Sequence, residues 1–135
     1  MKNITALSLS IVISFVTIAC NKADTNRYTG TYTGTLTTPG IVKDDVQMTF
    51  TNVFNKKTLS LFDEELTKKS ENQFSADAEI VLNIIQLVNT DITEDMVSNT
   101  SAVFVFENDE VTMDLQYNLL QKMTNTVNVR YIGKK

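Results

Sequence analysis

The sequence predicts an all-β fold made mainly of antiparallel strands. Several segments alternate apolar and polar residues with a period of two, which is the pattern of a half-buried strand. Threonine, valine and aromatic residues, which favour pleated surfaces, are frequent in these segments. Short turn sequences separate them, at Pro39-Gly40 and at Glu107-Asn108-Asp109-Glu110. Connections this short join antiparallel neighbours, because parallel strands need long crossovers.

Residues 1–19 predict a secretory signal peptide. Lys2 precedes an apolar run that extends to the small residue Ala19, directly before Cys20, the only cysteine of the chain. Serine and threonine residues dilute this run, and it is shorter than the ~20 residues that a membrane-spanning helix needs. An uncleaved anchor and a signal peptide cleaved at another position remain the alternatives.

The sequence Thr17-Ile18-Ala19-Cys20 resembles a bacterial lipobox. The resemblance implies that Cys20 is acylated, palmitate being one of the acyl groups, and becomes the first residue of the mature protein. More than one acyl chain would anchor the protein stably to a membrane. We therefore expect an outer-membrane lipoprotein of the cell envelope, with its side of the membrane left open. Residues 20–26 are then a lipidated polar tether, and residues 27–135 form a single domain.

The predicted strands follow one another along this domain. In residues 27–38, Tyr28, Tyr32 and Leu36 share one face with two glycines, while five threonines occupy the other face. Asn55-Lys56-Lys57 closes a predicted hairpin. The other strand segments are residues 46–51, 59–61, 102–106, 111–117 and 126–131.

Two segments are less regular. Residues 75–88 carry both an alternating apolar set and a helical one, so periodicity does not decide between strand and helix. We favour a strand there, because strands surround the segment. Asp91-Ile92-Thr93-Glu94 has the spacing of a capping box, in which Asp91 would accept a hydrogen bond from the backbone N–H of Glu94. This spacing predicts a short helix over residues 92–98.

The two ends of the domain resemble a known family. The opening YTGTYTGTL and the closing VRYIGKK are similar to those of calycin-like lipoproteins of Bacteroidota. The resemblance implies an up-and-down, lipocalin-like β-barrel of about eight short strands, in which the first and last strands pair. Gly30-Thr31-Tyr32 would take the place of the lipocalin Gly-x-Trp. Arg130 is the one late arginine, but its alternation predicts that it faces away from the apolar side.

The composition argues against an enzyme and against several kinds of site. The chain contains no histidine, so a Ser-His-Asp triad and a His-based zinc site are impossible. No glycine-rich phosphate loop is present, and the acidic residues form contiguous runs in predicted turns. We therefore expect no catalytic residue, no metal site and no cofactor. A net charge of −4 without a basic cluster also argues against nucleic acid.

The remaining hypotheses are non-enzymatic. A binding module for a small apolar molecule is favoured narrowly, with Tyr28, Tyr32, Phe50, Phe104 and Phe106 as interior contacts. The alternative is a lipoprotein that binds an envelope protein, such as an immunity factor, an inhibitor or an accessory subunit of an outer-membrane complex. A structural envelope protein is the third hypothesis. A cavity continuous with solvent would favour the first, and a filled barrel with an exposed apolar patch would favour the second.

We expect a largely filled barrel interior, with any ligand site confined to one mouth near residues 85–100. Aromatic and methionine side chains, which are large and adaptable, form half of the inward-facing set. That set comprises Tyr28, Tyr32, Leu36, Met48, Phe50, Leu59, Leu61, Ile80, Leu82, Phe104, Phe106, Met113, Leu115 and Val129.

Overall fold

A computed structural model describes residues 25–53, 58–120 and 126–135. The predicted signal peptide, Cys20 with residues 21–24 of the tether, and the Asn55-Lys56-Lys57 turn lie outside the described residues. The strands are β1 (Gly30–Thr38), β2 (Ile41–Asn52), β3 (Leu59–Leu61), β4 (Glu64–Glu65), β5 (Thr67–Lys68), β6 (Gln73–Ala76), β7 (Val97–Glu107), β8 (Glu110–Leu119) and β9 (Thr126–Lys134). A helix, α1, spans Ala78–Gln86, and 3-10 turns span Asn26–Tyr28 and Glu94–Met96.

The strands form one antiparallel sheet that curls into a nearly closed barrel. The nine strands lie in the order β4-β3-β2-β1-β9-β8-β7-β6-β5. β1 pairs with β9, from Thr33 opposite Lys134 to Thr37 opposite Arg130, so the two ends of the domain meet as the sequence predicted. The all-β barrel is thus confirmed. The strand number exceeds the predicted eight because four short strands, β3 to β6, replace fewer long ones.

The barrel wall has a seam where β4 meets β5. These strands stand at opposite ends of the strand order, yet only Leu66 separates them in sequence. β4 pairs with β3, whereas β5 pairs with β6. The Leu66 amide donates to the Leu59 carbonyl oxygen at 2.8 Å, and its side chain is buried. The chain itself therefore bridges the two edges of the sheet with one extended segment.

Helix α1 corrects the prediction of a strand over residues 75–88. β6 ends at Ala76, and Asp77 then caps a helix by accepting a hydrogen bond from the Ile80 amide at 3.1 Å. The helical apolar set prevails over the alternating one because it gives the segment a single continuous buried face. The fully buried residues of that face are Ile80, Val81, Ile84 and Ile85.

The predicted helix over residues 92–98 is also corrected. Only a 3-10 turn forms, over Glu94–Met96, and β7 already begins at Val97. Thr93, not Asp91, is the N-cap residue, and its side chain makes no capping hydrogen bond. The Asp91 amide instead donates to the Asn89 side chain at 3.2 Å. Val97 pairs with Leu119 on β8, so the chain is already part of the sheet from residue 97 onwards. The residues before it are enough for one helical turn only.

A continuous apolar core fills the barrel and extends under α1. Of the fourteen residues predicted to face inward, all except Leu82 are buried. Leu82 is half-buried, because the helix turns it toward the outside, which a strand would not have done. Phe74, Val111 and Tyr131 are fully buried core residues that this set lacked.

Candidate functional site

The five aromatic residues proposed as interior ligand contacts pack against one another. The ring of Tyr28 stacks on that of Phe106 with 4.8 Å between centroids. Tyr32 meets Phe50 edge to face at 5.6 Å, and Phe50 meets Phe104 at 5.4 Å. Such distances are those of aromatic pairs in direct contact. The rings therefore occupy the space that a ligand inside this part of the barrel would need.

Tyrosine hydroxyls satisfy buried backbone groups within this core. The Tyr131 hydroxyl lies 2.9 Å from the Tyr32 carbonyl oxygen and 3.0 Å from that of Val46, and it donates its proton between them. The Tyr32 hydroxyl donates to the Tyr28 carbonyl oxygen at 3.0 Å. Burial raises the pKa of Tyr131 to about 12 and raises that of Tyr32 as well. Both hydroxyls therefore remain neutral donors in neutral solution, and their role is structural.

The glycines of the first strand permit close approach of its neighbour. Gly34 lies opposite Gly133, and a Cβ on Gly34 would stand 1.9 Å from the Ile132 carbonyl oxygen. A Cβ on Gly133 would meet the Tyr131 hydroxyl at 2.4 Å. The absence of side chains at Gly34 and Gly133 therefore allows the close pairing of β1 with β9, which gives these glycines a structural role.

A lysine, not an arginine, covers the aromatic ring at the start of β1. Arg130 is exposed, as its alternation predicted. The Lys135 ammonium lies 5.7 Å from the centroid of the Tyr32 ring and donates to the Thr29 carbonyl oxygen at 3.1 Å. It also donates to the Arg27 carbonyl oxygen at 2.8 Å. Lys135 thus fastens the 3-10 turn across this end of the barrel, which we call the tether end because Thr25 enters there.

The opposite end, which we call the helix end, is covered by α1 and the segment that follows it. The Lys43 ammonium on β2 donates to the Leu87 carbonyl oxygen, at the carboxyl end of α1, at 2.7 Å. A cation at this position also complements the helix dipole. The Gln86 side-chain amide donates to the Ile92 carbonyl oxygen at 2.9 Å, and the Leu120 amide donates to that of Met96 at 3.0 Å. These contacts close the mouth of the barrel.

A groove of about 610 Å³ lies beside this mouth, between α1 and the start of β7. We call it the helix–strand groove. Three of its polar side chains, Asn83, Ser98 and Thr100, are half-buried and have no hydrogen-bond partner among the described residues. The groove is lined by Ala78, Glu79, Leu82, Asn83, Glu94, Val97, Ser98 and Thr100. Its volume falls within the range of ~300–1,000 Å³ that is usual for ligand pockets.

Three exposed apolar side chains also lie toward the helix end. Val42, Leu120 and Ile41 are 65%, 53% and 46% exposed, more than any other large apolar side chain in the described ranges. Ile41 and Val42 begin β2 at its hairpin with β1, and Leu120 follows β8. Both positions lie at the end of the barrel opposite Thr25. We call these three residues, which lie at strand ends on the side away from Thr25, the apolar rim.

Other kinds of site find little support in the described part of the chain. Within residues 25–53, 58–120 and 126–135, no group of three or more acidic or cysteine side chains is placed to hold a metal ion. Across the same ranges, no helix has the length and apolar character needed to cross a membrane. Two other clefts, of about 770 and 460 Å³, are more open and lie at the tether end. A further open cleft, of about 560 Å³, lies beside the β1–β2 hairpin, between it and strands β8 and β9.

Comparison with known proteins gives no relative: no protein-family model, no curated protein and no solved structure matches this chain. The resemblance to calycin-like lipoproteins therefore remains a prediction from the sequence. Function is therefore inferred from the geometry of the barrel and of its two ends.

The site expected near residues 85–100 covers only one side of the helix–strand groove. The expectation of a site near residues 85–100 includes Glu94, Val97, Ser98 and Thr100. The α1 side of the groove was missed, because residues 75–88 were interpreted as a strand. The spacing of Asp77 and Ile80, which caps the helix, is the signal that could have revealed it.

Proposed function

We propose that this protein is a membrane-anchored lipoprotein of the cell envelope that binds another protein through its helix end. The sequence alone favours a small apolar ligand narrowly over a protein partner. The observation that supports the protein partner is the interlocked aromatic cluster, since it fills the space in which a lipocalin-shaped carrier would hold its ligand.

The placement of the tether supports the helix end as the binding face. Thr25 is buried, and its hydroxyl bonds to the side chain of Asn52, so the domain is held firmly at this point. Four residues lie between Cys20 and Thr25, so the five backbone steps from one to the other span at most roughly 18 Å when extended. A lipid on Cys20 would therefore keep the tether end close to the bilayer. The apolar rim of Ile41, Val42 and Leu120 would then point away from the membrane, where a partner can reach it.

The membrane anchor is tested by removing the thiol. In cells that produce Cys20→Ser, we expect the protein to leave the membrane fraction and to appear in soluble or unprocessed form. Loss of palmitate labelling in the same variant would identify the acylated residue. Membrane partitioning that is unchanged in Cys20→Ser would contradict the proposed anchor.

The choice between carrier and protein binder is tested with two probes. Titration of the purified protein with a fluorescent fatty acid should give no saturable binding, because the aromatic cluster leaves the probe no interior site. A photo-crosslinking amino acid at Val42 or Leu120 should give a discrete protein adduct in cells, whereas the same amino acid at Glu71, at the tether end, should not. Saturable probe binding that is lost in Phe50→Trp, without any adduct at the helix end, would favour the carrier instead.

A further inference from the structure

We propose that the helix–strand groove binds a short, extended and positively charged segment of the partner protein, which adds to the edge of β7. This inference rests on the proposed function and specifies the chemistry of the partner.

The first half of β7 has an edge without a neighbouring strand. β6 pairs with β7 only from Ala102 to Val105, so β7 continues beyond it from Val97 to Ser101. On the other side, β8 pairs with β7 from Val97 onwards. Helix α1 lies along this edge, and among the described residues no backbone hydrogen bond joins the helix to this part of the strand. The Val97 N–H donates to the Glu94 carbonyl oxygen, so the part of the edge that is open to an added strand is residues 98–101. Such an edge is a template for an added strand.

A β-bulge limits how long an added strand can be. The β7–β8 register shifts between Ser98 and Ser101, and Asn99 takes a left-handed conformation with φ of 50°. Bulges interrupt pairing and re-aim neighbouring side chains, and they are common beside binding sites. The edge of β7 can therefore form backbone hydrogen bonds with only a few residues of a partner. The extended strand pairing that leads to aggregation is disfavoured.

The side chains of the groove suit an extended peptide better than a compact apolar molecule. Leu82 and Val97 provide apolar surface, while Asn83, Ser98 and Thr100 offer hydrogen-bonding groups that no other described residue occupies. Alternating apolar and polar contacts along a strand are what a peptide with alternating side chains requires.

The charge of the groove specifies a basic partner. Glu79 and Glu94 are both exposed at the groove, and neither carboxylate forms an ion pair or a hydrogen bond with a described residue. No lysine or arginine is among the lining residues. A peptide that carries lysine or arginine would therefore meet complementary charge, whereas an acidic peptide would be repelled.

The test uses a displayed library of random decapeptides, selected on the intact protein purified in detergent. We expect the enriched peptides to carry an excess of lysine and arginine. A synthetic peptide of an enriched sequence should bind Glu79→Gln/Glu94→Gln about tenfold more weakly than the unmodified protein. The matched control Glu71→Gln/Glu107→Gln, at the tether end, should bind as the unmodified protein does. Equal affinity for both double variants, or the absence of enriched peptides, would overturn the proposal.

Two further measurements examine the strand addition itself. Peptide binding should slow hydrogen exchange of backbone amides within residues 98–101, and N-methylation of alternate peptide amides should abolish binding although the side chains remain. Protection confined to another part of the barrel would refute a site at β7. The crosslinked adduct at Val42 or Leu120 can be examined in cells that carry Glu79→Gln/Glu94→Gln. If the adduct persists there and the peptide tests fail, the protein-binding function is retained and the groove is rejected as its site. Failure of the adduct would reject the function itself.

Discussion

At the scale of single residues, the Tyr131 hydroxyl is the most connected group in the barrel. It joins β9 to the Tyr32 carbonyl of β1 and to the Val46 carbonyl of β2. The pairing of Gly34 with Gly133 brings these strands close enough for the contact. One phenol therefore ties three neighbouring strands together at the place where the two ends of the domain meet.

Tyr131→Phe should lower the free energy of unfolding by about 1–3 kcal/mol, because two buried carbonyls lose the same donor. Tyr117→Phe is the matched control, since its hydroxyl makes no hydrogen bond with a described residue, and its effect should stay within about 0.5 kcal/mol. Urea denaturation of both variants gives the comparison. Similar losses in the two variants would mean that ring packing, not the shared hydrogen bond, stabilises this site.

The raised pKa of Tyr131 predicts a loss of stability in alkali. In the unfolded chain this tyrosine loses its proton near its ordinary pKa of 10.0, whereas in the folded protein it keeps the proton until about pH 12. The unfolded state therefore binds fewer protons between these values, and stability falls as the pH rises through this interval. Tyr131→Phe should show a shallower fall than the unmodified protein in urea denaturation at successive pH values. An equally steep fall would assign the effect to Tyr32 and Tyr117, whose pKa values burial also raises.

At the scale of elements, α1 replaces a missing part of the barrel wall. β3 pairs only with Phe50 to Asn52 of β2, and β6 pairs only with the second half of β7. The helix lies along the first half of β7, on the side where this strand has no neighbouring strand. Lys43 of β2 donates a hydrogen bond to the carboxyl end of the helix. Its four buried aliphatic residues close the core at this place. The helix is thus a structural part of the wall and at the same time one side of the proposed binding groove.

Asp77→Ala should destabilise the protein by about 1 kcal/mol, because the Ile80 amide loses its capping acceptor. Asp91→Ala is the matched control, an exposed aspartate with the capping-box spacing but no capping contact, and it should cost less than about 0.5 kcal/mol. The two variants differ only in whether the aspartate caps α1. If Asp91→Ala proved the more damaging, the helix boundaries described above would be wrong.

Alternation predicted the long strands well because each of them buries one face and exposes the other. Tyr32, Phe104 and Met113 are examples, each placed inward by sequence and fully buried in the barrel. The region around α1 was predicted poorly, since its aliphatic residues satisfy both periods. Only the tertiary context, in which the four aliphatic residues of α1 are buried against the core, decides in favour of a helix. The groove depends on that helix and therefore could not be predicted from sequence alone.

At the scale of the whole molecule, the length over which neighbouring strands pair differs around the barrel. β1, β8 and β9 form long ladders, whereas β4 and β5 contribute two residues each. Leu66 alone is buried at the seam between these short strands, while Glu65, Thr67 and Lys68 are exposed. Local opening of a protein begins where few buried contacts hold the backbone. The seam is therefore where we expect this barrel to open first.

Native-state hydrogen exchange measures this difference directly. Amides of residues 64–68 should exchange through local opening, well before those of β1 and β9, which should exchange only on global unfolding. Amides at the seam that are protected as strongly as those of β9 would show that the barrel is closed uniformly.

The pairing of β1 with β9 also fixes the order in which this protein acquires its structure. The hydrogen bond from Tyr131 to Tyr32 joins residues 99 positions apart, so the central ladder of the sheet forms only when distant parts of the chain have met. Closing so long a loop costs entropy before any contact repays it, and folding of such topologies is slow. β1 can pair with β2 early, but residues 126–134 must have been synthesised before β1 can pair with β9. The barrel therefore closes only after its last strand is made, which is the order that the proposed export of the chain across a membrane would need.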